Sequence, residues 1–285
     1  MRHTFRYMLL SLLSLTLFTT CDVEDEPYLE EIGKHNPPGP EEKVRKILLE
    51  EFTGHLCVNC PEGIKLANDL KIQYGEQLIL MTIHAGTFAV PENEGLYTAD
   101  YRTATGTDIH DFFNAQFYPS AMINRSECNG QVAMFTGLWQ QAIDALIELP
   151  PDAFIAISNQ FNEGTRELAS EIEVEILNNL SGDYNMAFYI IENGIISAQK
   201  NDDASVGDVP DIVDFEHKHM LRGAYLGAWG TPLISGGALA GETHSTNFTL
   251  IMEEEWKEEN CALITVFYDA QSREIIQAEE KGIVE

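Results

Sequence analysis

Two cysteines separated by two residues carry the strongest chemical signal in the chain. Cys57 and Cys60 lie in the stretch ILLEEFTGHLCVNCPEG, where an apolar run leads into a helix-like segment. At the start of a helix, free N–H groups and the helix dipole lower the pKa of a thiol, which favours thiol–disulfide exchange. The position predicts Cys57 as an exposed nucleophile and Cys60 as the thiol that resolves a mixed disulfide.

The same pair is also compatible with a metal site or an inert disulfide. A structural zinc ion needs four ligands, and this part of the chain adds only His55 and the more distant Cys128 to the pair. We therefore predict no metal site and no cofactor. A Cys57–Cys60 bridge closes a very short loop and stabilises a fold little. A redox-active pair and a structural disulfide remain equally open.

The segments around the pair alternate between strand and helix patterns from residue 44 to residue 150. KILLEEF, QLILMTIHA and SAMINR have the composition of buried strands, and PEGIKLANDLKIQYG has the periodicity of an amphipathic helix. Asn59 is predicted to cap this helix, with Glu62 closing a capping box, and Thr107 to cap the next one. A long helix is predicted over 131–149. Alternating elements predict an α/β layered domain.

The pattern changes to strand-like runs between residues 151 and 285. In EIEVEIL apolar and acidic residues alternate, which is typical of an antiparallel strand with one buried face. The acidic stretch 201–216 is predicted to be a solvated loop rather than a Ca²⁺ site. We predict that this second domain is a β-sandwich. Cys128 and Cys261 are expected to be separate thiols, with a bridge between the domains as the alternative.

The order of strand, Cys-x-x-Cys, helix, strand, helix and proline-led strand resembles a thioredoxin fold. This resemblance implies that Pro119, in FYPSAMINR, is a cis-proline beside the dithiol. It also implies that Glu51, six residues before Cys57, is a buried acid that takes a proton from Cys60 during resolution. The alternative is that Glu50 and Glu51 simply alternate across a strand, so that only one of them faces inward.

A closer resemblance extends over nearly the whole chain after its N-terminal segment. LLEEFTGHLCVNCPEG, FYPSAMINR, HKHMLRG and ITVFYDAQSREIIQAEE resemble a Bacteroidetes family named for a twenty-eight-kilodalton outer-membrane lipoprotein. The resemblance implies an α/β thioredoxin-like domain followed by an all-β antiparallel sandwich domain. It leaves two functions open: a thiol–disulfide oxidoreductase, or a non-catalytic surface binding or adhesion module with a structural disulfide.

The N-terminal segment has the pattern of a lipoprotein signal peptide over residues 1–20. A basic start and the apolar run MLLSLLSLTLF precede Cys21, which is the predicted lipidation site. Residues 21–43 are predicted to be a flexible, acidic and proline-rich linker. The acidic cluster DVEDE resembles a signal for export to the cell surface. We therefore expect an outer-membrane lipoprotein at the cell surface, with a periplasm-facing lipoprotein as the alternative.

Strong negative charge excludes one class of partner. The chain has a formal net charge of −29, and no basic patch is visible, so we predict no nucleic-acid partner. The expected partners are the membrane, through the lipid on Cys21, and either a protein dithiol or disulfide or a surface ligand. The histidines, His84 and His110 among them, are predicted to be structural.

Overall fold

The computed structural model describes residues 43–284. The predicted signal peptide, the lipidation site Cys21 and the linker up to residue 42 lie outside the described residues. The helices are α1 (Cys60–Tyr74), α2 (Ala104–Phe113) and α3 (Trp139–Ile147). The strands are β1 (Ile47–Thr53), β2 (Leu78–His84), β3 (Ser120–Ile123), β4 (Ala153–Asn162), β5 (Glu167–Ile176), β6 (Tyr184–Glu192), β7 (Ile195–Lys200), β8 (Asp211–His217), β9 (Met220–Tyr225), β10 (Thr231–Ile234), β11 (Thr243–Ile251), β12 (Cys261–Asp269) and β13 (Ile275–Gly282).

One large mixed sheet forms the centre of the fold. Its strand order is β13-β12-β6-β9-β2-β1-β3, with β10 pairing to β6. Strand β2 runs parallel to β1 and to β9, and the other neighbours are antiparallel. Every residue of β1 and β2 is buried, which explains their continuous apolar runs. Strands β11, β5 and β4 form a second, antiparallel sheet, and β7 pairs with β8 as a separate hairpin.

Three apolar clusters fill the spaces between these layers. One cluster covers a whole face of the large sheet, from Leu48 and Phe52 on β1 to Val266 on β12. On the opposite face, α1 and α3 pack against β1, β2 and β3. Beside them, the three-stranded sheet packs against β6 and β12. Both faces of the central sheet are therefore buried.

The described residues confirm a β-rich fold with mixed and antiparallel sheets. The sheet crosses the predicted boundary between residues 150 and 151, because β9 of the second half pairs with both β2 of the first half and β6. Residues Lys43–Glu285 form one compact unit. The division of this unit into domains 44–150 and 151–285 stays a prediction.

Several local expectations were wrong at the ends of elements. Asn59 does precede α1, but its φ of −91° and ψ of −9° are helical, and its side chain makes no capping hydrogen bond. Helix α2 is capped by Thr103, whose Oγ1 accepts from the Gly106 N–H at 2.8 Å, and not by Thr107. Helix α3 is shorter than predicted because the preceding residues pair with β3 through Met134. Strand β8 occupies part of the predicted loop 201–216.

Candidate functional site

Cys57 and Cys60 form a disulfide at the start of α1. Their Cα atoms are 5.4 Å apart, and Cys60 is the first residue of the helix. The exposed fractions are 2% for Cys57 and 0% for Cys60. The expectation that Cys57 is exposed was therefore wrong: in this structure both sulfur-bearing side chains are shielded from solvent.

The β7–β8 hairpin covers the loop that carries Cys57. The Lys200 N–H donates to the His55 carbonyl at 2.9 Å, and the Asp202 N–H donates to the Val58 carbonyl at 3.3 Å. These two bonds hold the end of β7 along the backbone on both sides of Cys57. Local sequence patterns do not predict this contact, because about 145 residues separate the bonded partners.

Gln199 fixes the same contact from inside. Its side chain is fully buried, and Nε2 donates to the Cys57 carbonyl at 3.0 Å and to the Gly54 carbonyl at 3.3 Å. On the other side of the loop, the Leu56 N–H donates to the Phe88 carbonyl at 3.0 Å. The disulfide loop thus lies between the hairpin and the segment that follows β2.

Pro119 and Glu51 lie against the first turn of α1. The Tyr118–Pro119 peptide bond is cis, as the resemblance implied. A Cβ added to Gly63 would lie 2.7 Å from Pro119 Cβ and 3.0 Å from Glu51 Oε1. Only glycine permits so close a packing of the helix on both residues. The fold therefore brings together the four residues predicted for the site, Cys57, Cys60, Pro119 and Glu51, around one helix end.

Glu51 is a buried acid without a strong partner. It is 2% exposed, and Oε1 has no hydrogen-bond partner among the described residues. Burial raises the pKa of this carboxyl group to about 8, because a charged carboxylate loses its hydration in the core. At neutral pH Glu51 is consequently protonated for most of the time and able to give or take a proton.

Its neighbour Glu50 is buried on the opposite face of β1. Glu50 accepts two hydrogen bonds from Arg125, Nε to Oε2 at 2.8 Å and Nη2 to Oε1 at 2.7 Å, and Arg125 also bonds the Tyr189 hydroxyl at 3.0 Å. The alternative in which only one of the two glutamates faces inward was wrong. Both are buried because helices cover one face of β1 and a large apolar cluster covers the other.

A cluster of three buried histidines lies beside the disulfide loop. The ring centroids are 6.4 Å apart for His55 and His84 and 5.4 Å apart for His84 and His217. Tyr101 touches all three rings, with centroid distances between 5.4 and 6.0 Å. Both ring nitrogens of His84 and Nε2 of His55 lack hydrogen-bond partners among the described residues. His217 Nε2 lies 3.1 Å from the Ser197 hydroxyl.

The sequence analysis predicted a structural role for His84, considered His55 as a candidate zinc ligand, and did not predict that the three histidines lie together. One signal for part of the cluster was present: His55 follows β1 and His84 ends β2, and parallel neighbouring strands bring such positions to one edge of a sheet. His217 comes from a hairpin whose position no local pattern revealed. Burial lowers the pKa of all three imidazoles, to about 4 for His217, so that they are neutral at neutral pH.

The described residues contain no group of three or more His, Cys, Asp or Glu side chains placed to hold a metal ion. The sulfur atoms of Cys57 and Cys60 are bonded to each other, so they are not thiolate ligands in this state. Cys128 and Cys261 are free thiols, as expected. Burial raises the pKa of the Cys261 thiol to about 12, which makes it a poor nucleophile at neutral pH.

A match to a known family identifies the protein class. The family described as "Outer membrane protein Omp28" matches residues 107–285, which is more than half of the chain. The chain belongs to this family. Membership in the Omp28 family confirms the expected outer-membrane family. The matched residues begin after the Cys57–Cys60 segment, so the assignment rests on α2 and the elements that follow it. No helix within residues 43–284 is long and apolar enough to cross a membrane.

Solved structures show similarity in fold at low identity. HBP35 of Porphyromonas gingivalis is 11% identical, with a TM-score of 0.60, over 84% of this chain and 76% of that one. A structural genomics protein of Agrobacterium tumefaciens is 15% identical, with a TM-score of 0.50, over 86% of this chain and 97% of that one. A domain of the outer membrane lipoprotein Omp28 from Porphyromonas gingivalis is 17% identical over 47% of this chain and 88% of that one, but its TM-score of 0.29 supports no conclusion. No curated protein matches the chain.

Proposed function

We propose that this Omp28-family protein is a surface lipoprotein whose Cys57–Cys60 pair exchanges disulfides with a protein dithiol. The observation that carries the proposal is the packing of the first turn of α1, which bears the disulfide, against cis-Pro119 and the buried acid Glu51. This combination supports a thioredoxin-like arrangement of the first half of the chain. An inert disulfide needs neither neighbour, whereas an exchanging disulfide uses both.

The proposed reaction transfers two electrons from the partner dithiol to the pair. A partner thiolate attacks the sulfur of Cys57, the Cys57–Cys60 bond breaks, and the Cys60 thiolate leaves and takes a proton from Glu51. The second thiolate of the partner then attacks the first partner sulfur in the mixed disulfide. This step forms the partner's disulfide and releases Cys57, which takes a proton from solvent. The partner ends as a disulfide and the pair as two thiols. A pKa of about 8 allows Glu51 to supply its proton near neutral pH.

Trapping a mixed disulfide tests this function. In the purified chain, Cys60→Ser leaves Cys57 as a free thiol that cannot be resolved from within. We expect this variant to form a stable adduct with a small disulfide reagent, and the wild-type chain, once reduced, to turn the reagent over. Cys128→Ser is the matched control, because it removes a free thiol outside the pair, and it should behave as wild type.

Loss of turnover in Cys57→Ser but not in Cys128→Ser would support the assignment of Cys57 as the attacked sulfur. Equal turnover in Cys57→Ser and wild type would rule it out. The comparison also separates thiol exchange from loss of folding, since circular dichroism of each variant reports whether the β-rich fold is intact.

A second candidate function is supported by the burial of Cys57. A side chain that is 2% exposed favours a structural disulfide in a surface binding module. This candidate predicts that the pair stays oxidised on intact cells when external reductant is varied, while a cycling pair appears partly as thiols. Alkylation of intact cells with a maleimide, followed by a mass-shift gel, measures the thiol fraction.

The location is proposed from the N-terminal pattern. Cys21 would carry the lipid and residues 21–43 would tether the folded unit. Several acyl chains are needed for stable anchoring, because a single chain binds membranes only weakly. We expect Cys21→Ala to move the protein to the soluble fraction. Asp22→Ala with Glu24→Ala should keep it in the membrane fraction but protect it from protease added to intact cells. Unchanged protease sensitivity would favour a different export signal.

A further inference from the structure

The β7–β8 hairpin covers the disulfide loop and is held there by hydrogen bonds. The three donors are Gln199 Nε2 and the N–H groups of Lys200 and Asp202. Among the apolar residues of the hairpin Ala198 is buried, but Ile196 and Val213 are 60% and 59% exposed and bury little apolar surface. A segment with few buried apolar contacts opens at a lower free-energy cost than the core of a sheet.

The buried histidines lie where the hairpin meets the sheet. His217 ends β8 and pairs with Ile195 at the start of β7, so it belongs to the hairpin. His55 and His84 belong to the loop and the sheet edge that the hairpin covers. The ring contact between His84 and His217, at 5.4 Å, therefore joins the hairpin to the end of β2.

We propose that the β7–β8 hairpin is a pH-controlled gate over the Cys57–Cys60 disulfide, closed while His55, His84 and His217 are neutral and opened when they are protonated. Two imidazolium rings at 5.4 Å would repel each other in a site that excludes water. Separation of the hairpin from the sheet edge relieves this repulsion and hydrates both rings. The biological purpose of the gate rests on the proposed thiol exchange, but the opening of the hairpin needs no redox step.

The charged groups around the cluster determine how strongly each ring resists protonation. Burial is the largest effect on the pKa of His55 and lowers it, as Arg102 also does. A hydrogen bond with the Val90 backbone and the carboxylates of Asp100 and Glu92 raise it. Burial and the neighbouring histidines lower the pKa of His84, and burial and His55 lower that of His217, with no carboxylate acting on either ring among the described residues.

Ion pairs hold some of the charges on and beside the hairpin. Lys200 Nζ lies 3.3 Å from Asp211 and 4.8 Å from the centre of the Tyr97 ring. Asp211 also accepts a hydrogen bond from the Tyr97 hydroxyl. Lys218, next to His217, is paired with Glu216 at 3.0 Å. Because no carboxylate among the described residues acts on His84 or His217, protonation of these two rings stays unfavourable while the hairpin is closed.

The sign of the effect follows from the depressed pKa values. An imidazole that titrates at about 4 when buried and at about 6.5 when exposed favours the open state as pH falls below 6.5. The closed state keeps its full stability above pH 6.5. For His217 alone, the population of the open state should rise roughly 25-fold between pH 7.5 and pH 5.

Amide hydrogen exchange of the full chain tests the gate without using thiol chemistry. We expect the amides of Lys200 and Asp202, which close the hairpin onto the loop, to lose protection roughly 25-fold at pH 5 relative to pH 7.5, after correction for intrinsic exchange rates. Amides at the centre of β12, such as that of Ile264, should keep their protection. The His217→Gln variant should lose most of this pH response, and His244→Gln, on the distant strand β11, should retain it.

Reduction by a water-soluble phosphine provides the second measurement. The phosphine gives two electrons and becomes a phosphine oxide with an oxygen atom from water, while Cys57 and Cys60 take two protons and become thiols. Relative to a short peptide with an open Cys-x-x-Cys disulfide, the reduction rate of the protein should rise at pH 5 by the same factor as the exchange of Lys200.

Unchanged protection of Lys200 and Asp202 at pH 5 would overturn the gate, as would an equal loss in β12, which would indicate global unfolding. An opening that appears equally in His217→Gln and His244→Gln would also overturn it. If the hairpin opens but Cys60→Ser traps no mixed disulfide, the proposed oxidoreductase function fails and the gate stands. If trapping succeeds and the hairpin does not open, the gate alone fails.

Discussion

At the scale of single residues, two adjacent glutamates of β1 show that the effect of burial on a carboxyl group depends on its partner. Glu50 is buried against Arg125, which donates two hydrogen bonds to it, so its charge is matched. Glu51, on the other face, meets an apolar helix and a proline instead. An unmatched carboxyl group in a core is retained at a cost in stability, which is typical of functional positions.

Replacement of Glu51 by glutamine should remove a pH dependence of stability. The pKa of Glu51 is about 8 in the folded chain and about 4.5 when unfolded, so wild type loses stability as pH rises from 4.5 to 8. The loss reaches roughly 5 kcal/mol at pH 9. The free energy of unfolding of Glu51→Gln should therefore increase relative to that of wild type as pH rises. Urea unfolding at pH 5, 7 and 9 measures this difference.

Glu62→Gln is the matched control for this comparison, because Glu62 is exposed in the first turn of α1. Its difference from wild type should stay within about 0.5 kcal/mol at each pH. A difference between Glu51→Gln and wild type that does not vary with pH would contradict the assignment of a raised pKa to Glu51.

At the scale of elements, the residue that caps the start of α2 in the structure differs from the one that the sequence predicts. Both Thr103 and Thr107 stand before helical residues, but Thr103 is extended, with φ of −120° and ψ of 155°, and its side chain caps the Gly106 N–H. Thr107 is already inside the helix, and its hydroxyl donates to the Thr103 carbonyl at 3.0 Å. The helix begins one turn earlier than the sequence predicts.

Thr103→Ala should lower the free energy of unfolding by about 1 kcal/mol, because it removes a capping acceptor from the first turn of α2. Thr107→Ala should change it by less than about 0.5 kcal/mol, because alanine is a better helix former and the lost bond is local. Urea unfolding of both variants at one pH measures the difference. A larger loss in Thr107→Ala would favour the cap that the sequence predicts.

At the scale of the whole molecule, the central sheet ties both halves of the chain together. Strand β9 of the second half lies between β2 and β6, and one apolar cluster runs from β1 to β12. Separation of the halves would expose a face of this cluster, so we expect the two halves to unfold together.

Tryptophan fluorescence can test this cooperativity, because Trp139 is buried against the first half and Trp256 in the second. In a variant that keeps only Trp139 and in one that keeps only Trp256, the fluorescence midpoint in urea should coincide with the far-UV circular dichroism midpoint of the same variant. Two separate steps in either variant would show that domains 44–150 and 151–285 unfold independently.

The sequence by itself determined the elements whose signals are local. The apolar runs of β1, β2 and β3, the alternating pattern of β5 and the periodicity of α1 all depend on residues within one element. The family motifs led to the Omp28 family and to the positions of Cys57, Cys60 and Pro119. The predictions of these elements succeed because side-chain period and composition reflect which faces an element buries.

Only the tertiary structure decided the surroundings of the site. The hairpin that buries Cys57, the cluster of His55, His84 and His217, and the burial of both glutamates of β1 depend on contacts between residues far apart in the chain. Taken alone, the sequence of each of these segments predicts only a loop or an ordinary strand. The reason is physical: burial and pKa depend on what packs against a side chain, and no pattern within a segment specifies its distant neighbours.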